Sequence, residues 1–246
     1  KPSVTKCKSK TARTCITWTP DYDRLDMPHV SASGLTDDEC LALQSLAYHA
    51  SMCSPSRVSV WLNDQKIGLR SVEHLAKALG GQPPFAVDSV VMGEPDSAHS
   101  ATGEGDCRMS VCVCAKSEDA VGCFEGWVNG TRCTEGSHAK WILQKAVDCV
   151  IAKAKSKCKD GMSNLKPSAL KQEMIVVCTL FIPNPRFANQ QKSELSTPTS
   201  EFGFKWSPSD KFVSSLCKSD LVSRAVDLSK SAADKQLAKT TKPRAK

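Results

Sequence analysis

The sequence predicts an α+β fold, and three observations carry that prediction. Met174 to Ile182 is an apolar run of strand length, rich in Ile and Val, as in a strand buried on both faces. Segments such as Arg108 to Ala115 alternate with period two, whereas the stretch after Ser137 carries a helical stripe. The two kinds are mixed without strict βαβ alternation, and the chain has no internal repeat or low-complexity block.

In chain order, Lys1 to Lys10 is a basic, polar entry, and Thr14 to Thr19 alternates as a strand ended by Pro20-Asp21. Asp21 to Gly34 reads as loop. Thr36 and Glu39 fit a capping box that opens a helix to about Met52, with Leu43, Leu46, Ala47 and Ala50 as its stripe. Val58 to Leu62 and Lys66 to Leu69 form a hairpin across Asn63-Asp64. Ser71 to Leu79 is a short helix closed by Gly80-Gly81. Gln82 to Asp106 is loop-rich around a strand at Ala86 to Met92, and Cys123 to Val128 is a further strand.

Ser137 caps a helix from His138 to about Lys157, with Trp141, Ile142, Ala146, Cys149 and Val150 as its buried stripe. It ends in Lys153, Lys155, Lys157 and Lys159, where cations suit the helix dipole. After Met174 to Ile182, Pro183-Asn184-Pro185 stops the strand. Ser209 and Asp210 start a helical region, broken near Ser219-Asp220, that runs to about Lys239 before a basic tail.

The 246 residues suffice for one large domain, or one domain plus an extension. A net charge of +7 is compatible with nucleic acid without requiring it. The thirteen cysteines form no CxxC pair and read as buried, reduced thiols. The closest two, Cys112 and Cys114, are expected on opposite faces of their strand, so no metal site is expected. No apolar run reaches membrane-spanning length, and a start at Lys1 rather than Met reads as an excised fragment.

The loop after the apolar strand carries Asn189, Gln190, Gln191 and Lys192. From the residues alone, Lys192 is either a solvated lysine or a contact presented on a rigid mount. From the residues alone the lysine run is a solvated helix end.

The motif Asn184-Pro185, Phe187, Gln190, Lys192 and then Phe202-Gly203 resembles the transducer domain of eukaryotic-type (type IIA) DNA topoisomerase II. The likeness extends to Thr14-Cys15-Ile16-Thr17 with Pro20-Asp21, Val58 to Leu62 with Asn63, and Arg108 with Val111-Cys112. It continues through Trp127-Val128-Asn129, Asp210-Lys211-Phe212 and Gln236-Leu237, so it covers nearly the whole chain in order.

The resemblance implies the fold of the second domain of ribosomal protein S5: a sheet with helices on one face, a left-handed βαβ crossover and a long exit helix. It implies a transducer domain at 1–215, with 216–246 a connecting helix and tail leading toward the TOPRIM and cleavage core. In the family, a Q-T-K loop reaches into the ATP site of the preceding GHKL ATPase domain. By position it is Gln190, Gln191 in place of threonine, and Lys192, with Lys192 in the catalytic role. Lysines that touch DNA align with Lys155, Ser156 and Lys157. His138 is read as structural, and Glu104-Gly105-Asp106 as a turn rather than a TOPRIM motif.

The implied parent uses ATP with Mg, acts on double-stranded DNA as a homodimer, and works in the nucleus; a mitochondrion, kinetoplast or viral replication site is the alternative. This chain lacks the ATP-binding boxes, the acidic cluster and the cleavage tyrosine. Alone it is expected to be inactive and monomeric. The alternatives are the S5-like domain of a MutL-type ATPase and a stand-alone basic nucleic-acid-binding module.

Overall fold

A strand buried on both faces needs a neighbour on each side, and Met174–Phe181 has both. A computed structural model describes residues 14–55, 57–92, 107–158 and 164–240, without the side chains of 31, 32 and 236–240. The basic entry, Glu104-Gly105-Asp106, Lys159, the side chain of Leu237 and residues 241–246 lie outside the described residues.

The chain divides into two compact units, 1–44 and 45–246. In the first, α1 (Pro28–Ser33) is a short helix where a loop was expected; Pro28 opens it, its preset φ suiting a first helical position. The expected capping box forms at α2 (Asp37–Cys53): the Thr36 N–H donates to Glu39 Oε2 (2.8 Å), and the Glu39 N–H donates to Thr36 Oγ1 (3.3 Å). The Thr36 N–H, with help from the Thr36 hydroxyl and His29, also holds the Glu39 carboxyl below its ordinary range. The predicted stripe of α2 is not buried, since Leu43 and Leu46 are exposed. Nor does Thr14 to Thr19 form a strand; an extended segment becomes one only when a neighbour takes its hydrogen bonds, and no described residue does.

The second unit holds the part of α2 from residue 45 onward, followed by the hairpin β1 (Trp61–Leu62) and β2 (Gln65–Lys66), shorter than expected. Its turn residues Asn63 and Asp64 take positive φ, as a two-residue hairpin turn requires. α3 (Val72–Ala78) follows, capped by Ser71 Oγ accepting from the His74 N–H. β3 (Gly81–Met92) begins before the expected Ala86, carrying Pro83-Pro84 across a register shift between Gln82 and Ala86. Proline is tolerated there because β3 is the sheet edge.

β4 (Cys107–Lys116), β5 (Cys123–Val128), β6 (Thr131–Arg132) and β7 (Glu135–Gly136) lead to α4 (Ser137–Lys157). α5 (Pro167–Lys171), β8 (Met174–Phe181) and β9 (Glu194–Leu195) follow, then α6 (Asp210–Lys218) and α7 (Leu221–Thr240). The main sheet has the order β3-β4-β8-β5-β6. β8 pairs antiparallel with β4 and parallel with β5, and is buried except at its last residue.

Alternation divides the sheet residues between two cores. Met109, Val111, Val113, Met174, Val176, Cys178 and Leu180 face α4, α6 and α7, which share one side as expected. Cys112, Cys114, Ile175 and Val177 face the smaller α3 and Met52, from the end of α2. Cys112 and Cys114 therefore lie on one face, not two, because residues two apart on a strand share a face. Among the described residues no cluster of His, Cys, Asp and Glu could hold a metal. Five described cysteines are buried (Cys107, Cys112, Cys114, Cys133, Cys178), whereas Cys15 is exposed and the others are half-buried.

Gly136 and Gly203 are among the glycines that admit no replacement without movement. Gly136, at φ +108, starts α4 against β9, and a Cβ there would lie 2.1 Å from the Leu195 carbonyl oxygen. Gly203, at φ +79, would place a Cβ 2.4 Å from Cys107 Sγ. Beside it, Phe202 is fully buried with its ring edge-on to Trp141 at 5.6 Å. The Phe202-Gly203 pair thus locks the return segment onto α4 before Ser209 caps α6, its Oγ accepting from the Phe212 N–H.

Candidate functional site: a braced loop and a lysine-bearing helix end

The loop that leaves β8 is fixed at its root by Asn129. Its side-chain NH2 donates to the Ile182 carbonyl and its carbonyl oxygen accepts from the Ile182 N–H, both at 2.9 Å. Sequence reasoning missed this clamp, although Asn129 stands in the Trp127-Val128-Asn129 segment. Farther out, the Arg186 N–H donates to Thr197 Oγ1 (2.7 Å) and the Ala188 N–H to the Glu194 carbonyl (2.9 Å). β9 then pairs with β7, immediately before α4.

At the tip, the Lys192 N–H donates to the Asn189 carbonyl (3.2 Å), and the Ser193 N–H to Asn189 Oδ1 (3.1 Å). Gln190, Gln191 and Lys192 are all exposed on this tip. Lys192 has φ +58, a left-handed conformation uncommon for a residue with a side chain. Its Nζ lies 5.8 Å from the Phe187 ring centroid. A braced base with an exposed cation can place that charge reproducibly against an external anion, at little further entropy cost.

The second group of predicted residues sits at the end of α4. Lys155, Ser156 and Lys157 are exposed there, and Ser156 Oγ donates to the Lys153 carbonyl (2.7 Å). The serine therefore caps a carbonyl at the helix end, while the two lysines present the charge.

At the other end of α4, Ser137 does not cap. It is the first helical residue, and its hydroxyl donates to the Thr197 carbonyl (2.6 Å). His138 is fully buried, its ring edge-on to Phe124, and Nε2–H donates to the Cys133 carbonyl at 3.0 Å. Burial lowers its pKa to about 4, partly offset by that carbonyl.

This geometry makes His138 structural and predicts a pH dependence. The unfolded chain binds a proton below the ordinary histidine value of 6.5, whereas the folded chain resists it down to about 4. Stability present in full above pH 6.5 is therefore lost progressively toward pH 4, by roughly 3 kcal/mol in all. Urea midpoints at pH 7 and pH 4.5 are expected to differ less in His138→Gln than in the wild type. An equal difference in both proteins would assign the effect to other groups.

The chain thus presents a mixed sheet with α4, α6 and α7 on one face and a lysine-tipped loop leaving its central strand. The chain belongs to the DNA gyrase B family, whose sequence model matches residues 73–245. It is 26% identical to DNA topoisomerase 2 of Meyerozyma guilliermondii, over 97% of this chain and 17% of that protein. To the probable DNA topoisomerase 2 of Dictyostelium discoideum it is 28% identical, over 86% of this chain and 13% of that protein. The chain thus spans less than a fifth of these relatives.

Two solved structures share its fold. The ATPase and transducer domains of DNA topoisomerase II from Balamuthia mandrillaris match with a TM-score of 0.63 at 21% identity, over 89% of this chain and 49% of that one. The ATPase region of Saccharomyces cerevisiae topoisomerase II matches at 0.60 and 18% identity, over 83% and 48%.

Proposed function

We propose that this chain is the transducer segment of an ATP-dependent type IIA DNA topoisomerase. Residues 1–215 form the transducer, and 216–246 lead toward the TOPRIM and cleavage domains. The observation that supports this most is the braced loop with Lys192 at its exposed tip, in a chain whose family match covers the sheet and every long helix after α2.

A lysine is a compact cation suited to a terminal phosphate, and in a site closed to water it stabilises developing charge. Gln190, Gln191 and Lys192 would enter the ATP site of the parent's own GHKL ATPase domain, which would hold ATP with Mg. Hydrolysis removes the group Lys192 holds, so the same contact reports the nucleotide state to the rest of the transducer. Lys155 and Lys157, beside Ser156, would steady double-stranded DNA through phosphate contacts that read no sequence.

The parent would act as a homodimer on nuclear DNA. This segment alone would neither hydrolyse ATP nor cut DNA. Among the described residues no helix is long and apolar enough to cross a membrane.

The test is decatenation. The full-length parent, given ATP and Mg, is expected to separate interlinked duplex circles and to stop when ATP is withheld. ATP-independent separation, or none with ATP, would overturn the proposal.

A further inference from the structure

On the sheet face away from α4, the side-chain pattern changes partway along the strands. Cys112, Cys114, Ile175 and Val177 form an apolar floor under α3. Toward the other end, the register sets Ser89 opposite Ser110 and Ser110 opposite Thr179, a row of three hydroxyls across β3, β4 and β8. The next row on this face pairs Arg108 with Phe181. These residues line a cleft of about 430 Å³, bordered on its other side by Met52 to Pro55 and by Arg70 to Val72.

Burial deepens across this floor, from an exposed Ser89 through a half-buried Ser110 to Thr179, which is only 9% exposed. Among the described residues, the hydroxyls of Ser89, Ser110 and Thr179 have no hydrogen-bond partner. Arg108 makes neither a hydrogen bond nor an ion pair to a described residue. Its guanidinium carbon stands 4.0 Å over the Phe181 ring centroid. Stacking covers a face of the guanidinium and leaves the N–H edge, the part that grips an oxyanion by two parallel bonds.

Arg70 adds a second guanidinium to the lining, its Nη2 donating to the Val58 carbonyl. Asp88 is the only acidic residue among those lining the cleft. Its Oδ2 accepts from Trp206 Nε1 (3.0 Å) and the Ser209 N–H (2.9 Å), and Trp206 belongs to the core on the opposite face. The cleft therefore combines two arginines with hydroxyl donors, and both oxygens of its single carboxylate are already hydrogen-bonded, Oδ1 accepting from the Ser89 N–H (3.0 Å). The Arg108 charge also reaches across it, partly offsetting the burial that raises the Cys53 thiol to about 11.

The geometry points to a binding site for a small organic oxyanion, a phosphate or carboxylate gripped by Arg108 over Phe181 and hydrogen-bonded by the hydroxyl row. The volume suits a molecule larger than an inorganic ion. None of residues 155–157 or 190–192 lines this cleft, so the inference does not depend on the roles proposed for them.

The test is a titration of the ¹⁵N-labelled chain with phenyl phosphate and, separately, benzoate, which share a ring and differ in the oxyanion. Saturable shifts of the Ser89, Ser110 and Thr179 amides are expected with at least one probe, and the responding probe names the oxyanion class. Arg108→Met is expected to weaken that binding about tenfold or more, and Arg108→Lys by less, since it keeps the charge without the fork. Should Arg108→Met not fold, Ser110→Ala carries the test through an expected loss of about threefold. Three results would overturn the site: no saturable shift with either probe below about 10 mM, shifts confined to the lysines ending α4, or affinity unchanged in the folded variants.

Discussion

Lys192→Ala in the full-length parent is expected to leave ATP binding within a few fold and to lower DNA-stimulated hydrolysis by about 10²-fold or more. The asymmetry follows from where charge develops. In the proposed complex the ground-state nucleotide is held mainly by the ATPase domain, so one lysine at its terminal phosphate adds little to binding. In the transition state that phosphate spreads charge over its oxygens, and a cation already in position is worth most there. The loop supplies the position: the Asn129 clamp, the Ala188–Glu194 closure and the Asn189 bonds to the tip hold Lys192 without help from its side chain. Alanine at this position should therefore remove the charge and leave the loop's bracing in place, although the φ of +58 makes it somewhat less favourable. Equal turnover in the two proteins, measured beside nucleotide binding, would remove Lys192 from the chemistry and leave the likeness one of fold.

Charge reversal at Lys155 and Lys157 together is expected to weaken DNA binding by the parent by about tenfold or more at low salt. The slope of log affinity against log salt should flatten by about two, near one counterion per lost phosphate contact. Both side chains are exposed in the last turn of α4, whose buried face is set by Ile142, Ala146, Val150 and Ala154. Their replacement should therefore leave the core intact. Since Ser156 turns its hydroxyl to the Lys153 carbonyl, Ser156→Ala is expected to leave the salt slope unchanged. An unaltered slope in the double reversal would make these lysines surface charge alone.

Much of the architecture was legible because its signals are local. The Thr36–Glu39 box, the Asn63-Asp64 turn, the helix starts near Ser71 and Ser209 and the break at Ser219-Asp220 each depend on residues within one turn of one another. The misses share a different cause. Thr14 to Thr19 has the alternation of a strand but no partner among the described residues, and Leu43 and Leu46 have helical spacing but no cover. Periodicity states which residues could share a face; it does not supply the surface that buries them. Ser137 has the residue type of a cap, yet Gly136 takes that position because the close approach of Leu195 excludes a side chain there.

The sequence by itself determined that Met174 to Ile182 would carry a central strand, that Lys192 would sit on the loop beyond it, and that lysines would end the helix after Ser137. These follow from hydrophobic run length, proline stops and helix period, which act along the chain. Only the tertiary structure decided that Asn129 clamps the root of that loop, that Phe202 locks onto Trp141, and that Ser89, Ser110 and Thr179 form one row beside Arg108. Those relations join residues from separate strands and helices, and a cross-strand register or a ring-on-ring contact is set by the packing of the whole core.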